Sequence, residues 1–164
     1  MPDHHPTKRV HVGPWAADID VLIAPLIRDI WKAGIETRQC CQSYAWLGVK
    51  GRRIWVQFPG SVELAKFLNA VTHDRDACGA LYYRVCWHWI LFDRPGRRWQ
   101  YRIHYFDRSV ANEFNPDGGW AFEGPPDFVE GVDVFFPKSD LALVLKELRR
   151  YNRVYRRGGA PAVR

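Results

Sequence analysis

Seven consecutive residues, Thr37-Arg38-Gln39-Cys40-Cys41-Gln42-Ser43, set two thiols, two amides, two hydroxyls and a guanidinium in one short stretch. Carboxamides can read the donor and acceptor edges of a base or ribose, and a guanidinium can hold a phosphate through two parallel hydrogen bonds. Arg52 and Arg53 follow across the turn at Gly48 to Gly51 and would add positive charge to the same region. Farther along, Trp87 and Trp89 alternate on one predicted strand and Arg102 and His104 on the next. Indoles beside a guanidinium and an imidazole make a stacking platform for a purine or pyrimidine. The expected binding set is therefore Arg38, Gln39, Cys41, Gln42, Ser43, Arg52, Arg53, Trp87, Trp89, Arg102 and His104. Its expected partner is an anionic small molecule, with a nucleotide or nucleotide-derived signal as the leading class.

Catalytic machinery is harder to find. The chain has no P-loop, dinucleotide fingerprint, nucleophile elbow or metal-protease helix, so binding without turnover is expected, with no cofactor. The alternative is a cysteine-dependent enzyme in which Cys40 or Cys41 is activated by His73, His88 or His104. The four cysteines have no CxxC spacing. A zinc site drawn from Cys40, Cys41, Cys78, Cys86, His73, His88 and His104 could be assembled only by the fold, and reduced, partly buried thiols with no metal are the plainer reading.

The elements that must position these groups follow from periodicity. Leu22, Ile23, Leu26, Ile27, Ile30 and Trp31 form one helical stripe, with Asp20, Arg28, Asp29 and Lys32 on the other face. Asp20 suits the N-terminus of that helix and Gly34 its left-handed end. A strand from Ile35 to Cys40 then delivers the polar cluster into a loop, and Arg52 to Phe58 forms a second strand with Ile54, Val56 and Phe58 alternating. After Pro59-Gly60, Ser61 can cap a helix to about Thr72 that turns Leu64, Ala65, Leu68 and Val71 inward.

This unit recurs. Residues 54 to 61, IWVQFPGS, match residues 132 to 139, VDVFFPKS, at an offset of 78, and each is followed by an amphipathic helix, the second burying Leu141, Val144, Leu145 and Leu148. Between the units, Leu81 to Asp93 and Arg98 to Phe106 read as a long hairpin turning at Pro95-Gly96. In that register Cys86, His88, Ile90 and Phe92 share a core face with Tyr105, Ile103, Tyr101 and Trp99. Trp87, Trp89 and Leu91 join His104, Arg102 and Gln100 on the other face, where packing beneath a helix or second subunit competes with ligand stacking. Residues 107 to 131 read as a long acidic loop able to act as a flap over a basic pocket. The expected fold is α+β: a single mixed or antiparallel sheet with a long central hairpin and about three helices packed on it.

With 164 residues, 47% of them hydrophobic, the chain can build one core. The expected division is a flexible lead at 1–13 that joins the sheet at Val10 and Val12, one domain at 14–152, and a basic tail at 153–164. Neither a signal peptide nor a membrane span is expected, which points to the cytoplasm and no membrane partner. From Lys146 onward there are seven basic residues and one acid, which accounts for the whole net charge of +6. That concentration offers a second alternative: nucleic-acid binding through Arg149, Arg150, Arg153, Arg156 and Arg157. A homo-oligomer that buries the exposed tryptophans is a third.

The pattern Ile23-Ala24-Pro25-Leu26-Ile27, Ile30-Trp31, Gly34-Ile35-Glu36-Thr37 and Cys41-Gln42 resembles the opening of small uncharacterised proteins of actinobacteria and their phages. The likeness covers roughly residues 18 to 72 and 130 to 152. The resemblance implies Ser-Cys-Gln or Ser-Cys-Glu at the positions where this chain has Cys40-Cys41-Gln42, so the chain departs from the expected pattern at Cys40. The resemblance implies no established activity, and a phage setting would suit sequestration of a host signalling nucleotide.

Overall fold

The computed structural model describes residues 5–44, 53–74, 76, 80–86, 99–108, 110–115, 119–122 and 124–155. The first described element is a hairpin of β1 (Thr7–Val12) and β2 (Trp15–Asp20), turning at Gly13, whose φ of 55° lies in the left-handed region. The lead therefore contributes a strand from Thr7 and buries Val10, but it pairs with β2 and not with the larger sheet.

Helix α1 (Ala24–Lys32) buries Leu26, Ile27, Ile30 and Trp31 as their spacing predicts, and Gly34 follows its end at φ 76°. Its start differs from expectation. Ile23 is the N-cap and no side chain caps it, because the Asp20 carboxylate accepts the Gln42 N–H at 2.9 Å instead. Leu22, expected in the buried stripe, is 44% exposed, while Asp29, expected on the polar face, is buried.

β3 (Gln39–Tyr44) pairs antiparallel with β4 (Arg53–Phe58). Ile35 to Cys40 was expected to be the strand and the polar residues after it a loop. Pairing begins only at Gln39, so the polar cluster is itself the strand; its peptide groups bond to β4 whatever its side chains are. α2 (Ser61–Val71) follows with Gly60 as N-cap, and Ser61 contributes its backbone N–H to Glu130 Oε1 at 2.6 Å rather than a hydroxyl cap. Phe67, Ala70 and Val71 are its buried residues, and Ala65, expected inward, is exposed.

Ala80–Cys86 is α3, not the first half of a strand, with Leu81 and Val85 buried one helical turn apart. Residues 87–98, which hold the rest of the expected hairpin, lie outside the described residues. Trp99, just before β5 (Gln100–Asp107), and Tyr101 within it lie on the core side as expected. Ile103 and Tyr105, expected there too, are 60% and 67% exposed, since β5 ends the order of described strands. The expected loop at 107–131 contains a second hairpin, β6 (Val110–Asn115) with β7 (Gly119–Phe122), before β8 (Phe128–Pro137). A single 3₁₀ turn at Lys138–Asp140 leads into α4 (Leu141–Tyr155), so Ser139 is an exposed turn residue and not a cap.

The main sheet is antiparallel with order β3-β4-β8-β5, which makes the fold α+β. Ile54, Val56 and Phe58 of β4 face Phe136, Val134 and Val132 of β8, and all six are buried on the side that meets the helices. The pairing sets Val56 opposite Val134, its own counterpart in the sequence repeat. The two strands of the repeat are thus related by a local two-fold passing through that pair. Phe136 stacks on Trp99 at 4.6 Å, and Trp99 stacks on Phe67 of α2 at 6.1 Å. Asp140 accepts the Trp99 indole N–H at 2.9 Å and pairs with Arg84 at 3.0 Å, which anchors α3 to the turn after β8. No helix among the described residues is long and apolar enough to cross a membrane.

Phe136 therefore closes the core between sheet and helices. Phe136→Ala should cost about 3–5 kcal/mol by urea denaturation, from lost transfer energy plus a cavity against Trp99. A cost below that of an ordinary surface change would show that the stack carries little of the core.

Candidate ligand-binding site

In an antiparallel pair, directly opposed residues point to the same face. The register accordingly lines up Gln39, Gln57, Asp133 and Arg102 across all four strands, on the face away from the helices. Asp133 is 2% exposed and sits at the centre of this row. Its Oδ1 accepts the Gln57 amide at 3.1 Å, and its Oδ2 lies 3.4 Å from Arg102 Nε and 3.5 Å from His104 Nδ1. The Gln57 amide also reaches His104 Nε2 at 3.2 Å; if Gln57 donates, the imidazole proton sits on Nδ1, toward Asp133.

His104 reaches Gln57 across β8 because Gly131 stands between them. Its register partner is His104, and a Cβ on Gly131 would lie 2.7 Å from His104 Nε2 and 3.1 Å from Phe106 Cε1. The missing side chain leaves a hollow over which His104 and Phe106 fold. Arg38 closes that hollow from the β3 side, with its guanidinium carbon 4.6 Å above the Phe106 ring and its backbone N–H donating to the Gln57 carbonyl at 2.8 Å.

Arg38 and Gln39 also line an open groove of ≈ 550 Å³ between β2 and the start of β3. Trp15, Trp31 and Trp55 supply its aromatic surface. Trp31 is buried and fixed by its indole N–H, which donates to Thr37 Oγ1 at 2.9 Å, and Trp15 packs against it at 6.4 Å. Asp18 is the acid in this lining, and Arg9 stands 3.6 Å from it.

The expected binding set thus divides. Arg38 and Gln39 meet in the groove, and Arg102 and His104 join at Asp133, linked to Arg38 through Phe106. The Gln42 side chain serves the backbone, accepting the Leu22 N–H at 3.0 Å, and Ser43 contributes its backbone N–H, 3.4 Å from Cys41 Sγ. Arg53, expected on the ligand, is 6% exposed within the sheet, where burial lowers its pKa. Arg52, Trp87, Trp89, Arg156 and Arg157 lie outside the described residues. Sequence reasoning missed Trp15, Trp55, Gln57, Gly131 and Asp133. One signal was available, an acid alternating with valines in the most apolar strand, Val132-Asp133-Val134.

The two thiols face opposite ways. Cys40 pairs with Val56 on the helix side and packs partly buried against the core, and Cys41 pairs with Trp55 on the other face. Burial, then Asp20 and Cys41, push the Cys40 thiol up to about 12. Burial is also the largest cause raising Cys41, with Asp20 adding to it against the Ser43 N–H and Lys138. These shifts run opposite to those of an activated nucleophile. His73 packs against Tyr151 and Tyr155, and His104 is separated from β3 by two strands, so neither of these expected bases stands beside a thiol; His88, the third, lies outside the described residues.

The basic residues of α4 are partly spent on ion pairs. Arg149 holds buried Asp29 at 2.9 Å and Arg150 holds Asp74, while Arg153 is exposed. Arg149 and Arg153 share a shallow cleft of ≈ 440 Å³ with Arg28 and Lys32 of α1.

Two outcomes test this geometry. Gly131→Ala should destabilise the fold by about 1–3 kcal/mol through overpacking, and a His104→Ala background should reduce that cost because the nearest clash is removed. Equal costs in both backgrounds would place the strain elsewhere. The second concerns Cys40, whose folded thiol holds its proton more tightly than an ordinary thiol of pKa 9.0. Its contribution to stability is complete below 9.0 and is lost as pH rises toward about 12. Cys40→Ala should therefore show a shallower loss of stability across that interval than the parent chain.

No protein-family model, no curated protein and no solved structure matches this chain, so its function is argued from its own geometry.

Proposed function

We propose that the protein binds a planar, anionic small molecule, a nucleotide or nucleotide-derived signal, in the groove between β2 and β3, without turning it over. The observation that carries this reading is the lining of one groove by Arg38 and Gln39 together with Trp15, Trp31 and Trp55. Each group has a distinct use. The half-buried indoles of Trp15 and Trp55 offer π-faces for a base, with buried Trp31 packed behind Trp15, while the amide offers a donor and an acceptor for its edge and the guanidinium offers a fork for phosphate. Arg38 is held over Phe106, so part of its ordering cost is met before a ligand arrives. His104, Gln57 and Arg102 extend the polar surface behind it, though Asp133 already engages Arg102 and reduces the charge Arg102 can offer.

A second reading rests on the cleft between α1 and α4. Four cations, Arg28, Lys32, Arg149 and Arg153, surround one acid, Asp29, and this arrangement suits the phosphate backbone of a nucleic acid. Here α1 adds cations that the tail alone does not contain.

One titration separates the two. Ribonucleoside 5′-phosphates should quench indole fluorescence saturably, and Arg38→Ala should weaken that binding about tenfold or more, the worth of a charge-assisted hydrogen bond. Arg28→Ala with Arg153→Ala should leave it unchanged. If instead no nucleoside phosphate binds, while duplex DNA binds with a steep salt dependence that the Arg28/Arg153 variant flattens, the groove reading fails and the cleft reading stands.

A further inference from the structure

His5, Asp20 and Cys41 come from three separate segments, yet a ring nitrogen of His5, a carboxylate oxygen of Asp20 and the Cys41 sulfur all lie within 4.8 Å of one another. We propose that these three side chains form a binding site for a transition-metal dication of the zinc or cobalt class. The site is independent of the ligand reading above.

The donor set argues for that class of ion. One imidazole, one carboxylate and one thiolate is a mixed, borderline set that suits zinc and its neighbours, whereas magnesium and calcium take oxygen ligands. Bonds of the usual length to a tetrahedral ion would set the three donor atoms roughly 3.3–3.8 Å apart, so the trio need close by no more than about 1.5 Å. All three residues are half-buried, and His5 precedes the first strand, so side-chain rotation can supply that closure.

The surroundings orient the donors. The Gln42 N–H holds Asp20 Oδ2 at 2.9 Å, and the Ser43 N–H lies 3.4 Å from the Cys41 sulfur. Two of the three donors thus carry a backbone hydrogen bond, the kind of outer contact that fixes a ligand's direction at a metal. The Gln42 side chain ties the same segment to the Leu22 N–H at 3.0 Å, which holds the end of β2 against β3. Electrostatics point the same way. A dication between Asp20 and Cys41 would take the place of the thiol proton and neutralise the carboxylate, so one ion would satisfy both donors.

The position is also informative. β2 and β3 converge at Asp20 and Gln42, and the preceding residues on each strand, Ile19 and Cys40, line the aromatic groove. The metal would pin the two strands together beside that groove. Three protein donors also leave a tetrahedral ion one position for a further ligand.

The test uses the full chain, freed of metal with a chelator and checked by circular dichroism. Titration with Zn²⁺ should show one equivalent bound, and Co²⁺ should give tetrahedral d–d bands together with a near-ultraviolet thiolate-to-cobalt band. His5→Ala and Cys41→Ser should each abolish the thiolate band or weaken Zn²⁺ binding by more than about a hundredfold, beyond the usual cost of an outer-contact change. His5 lies ahead of β1, so the His5→Ala result decides the matter even if Cys41→Ser misfolds. The proposal is overturned if no stoichiometric binding occurs, if Co²⁺ gives no sulfur band, or if both variants bind as the parent does. Rapid alkylation of Cys41 without metal uptake would also overturn it, pointing to a thiol–imidazole pair instead.

Discussion

The antiparallel pairing of β4 with β8 is the constraint on which the rest of the structure depends. From Gly131 to Pro137 every residue of β8 is buried, on both faces of the sheet, so its register is fixed twice over. A slip by one residue would move Val132, Val134 and Phe136 off the helical layer and bring Asp133 and Phe135 onto it. The two-fold relation through Val56 and Val134 then sends the chain out of the two strands in opposite directions, each time into a helix. α2 packs on both strands and on α4, and α4 packs on α1. One strand pair thereby places three helices.

The same pairing produces the polar row on the other face. Once Val132 and Val134 point to the helices, Asp133 must point away, and register alone brings Gln57 and Arg102 to it from either side. A carboxylate buried on a sheet face needs such partners, because leaving it unpaired would cost more than any single contact returns. Gly131 adds the other half of the device. Removing one side chain from the central strand lets His104 and Phe106 lie across it, and this is what connects the far edge of the sheet to Arg38.

Where β2 meets β3 the chain uses a different means of cohesion. These strands belong to separate sheets, and side-chain-to-backbone bonds join them: Asp20 to the Gln42 N–H, and Gln42 to the Leu22 N–H. At this junction His5, Asp20 and Cys41 gather, and beside it Trp15, Arg38 and Trp55 line the groove. Groove and trio thus share one origin, a junction between two strands that never become neighbours in a sheet.

By itself the sequence determined the α+β class, most of the apolar face of α1, the apolar face of β4, the Gly34 helix end and the existence of two Phe-Pro strands, because these follow from local periodicity and turn chemistry. It misread Leu81 to Cys86 as strand, since tyrosine and valine favour extended chain, whereas Leu81 and Val85 buried one turn apart and the Arg84–Asp140 pair settle that segment as helix. It marked Arg38, Gln39, Arg102 and His104 as a site but joined them through a hairpin register. Tertiary structure decided that they meet through Phe106 and Gly131, and that His5 and Asp20, 15 residues apart in the chain, stand beside Cys41. The physical reason is that each such meeting depends on strand register and on which edges face one another. Those are set by long-range pairing and burial, and no local pattern encodes them.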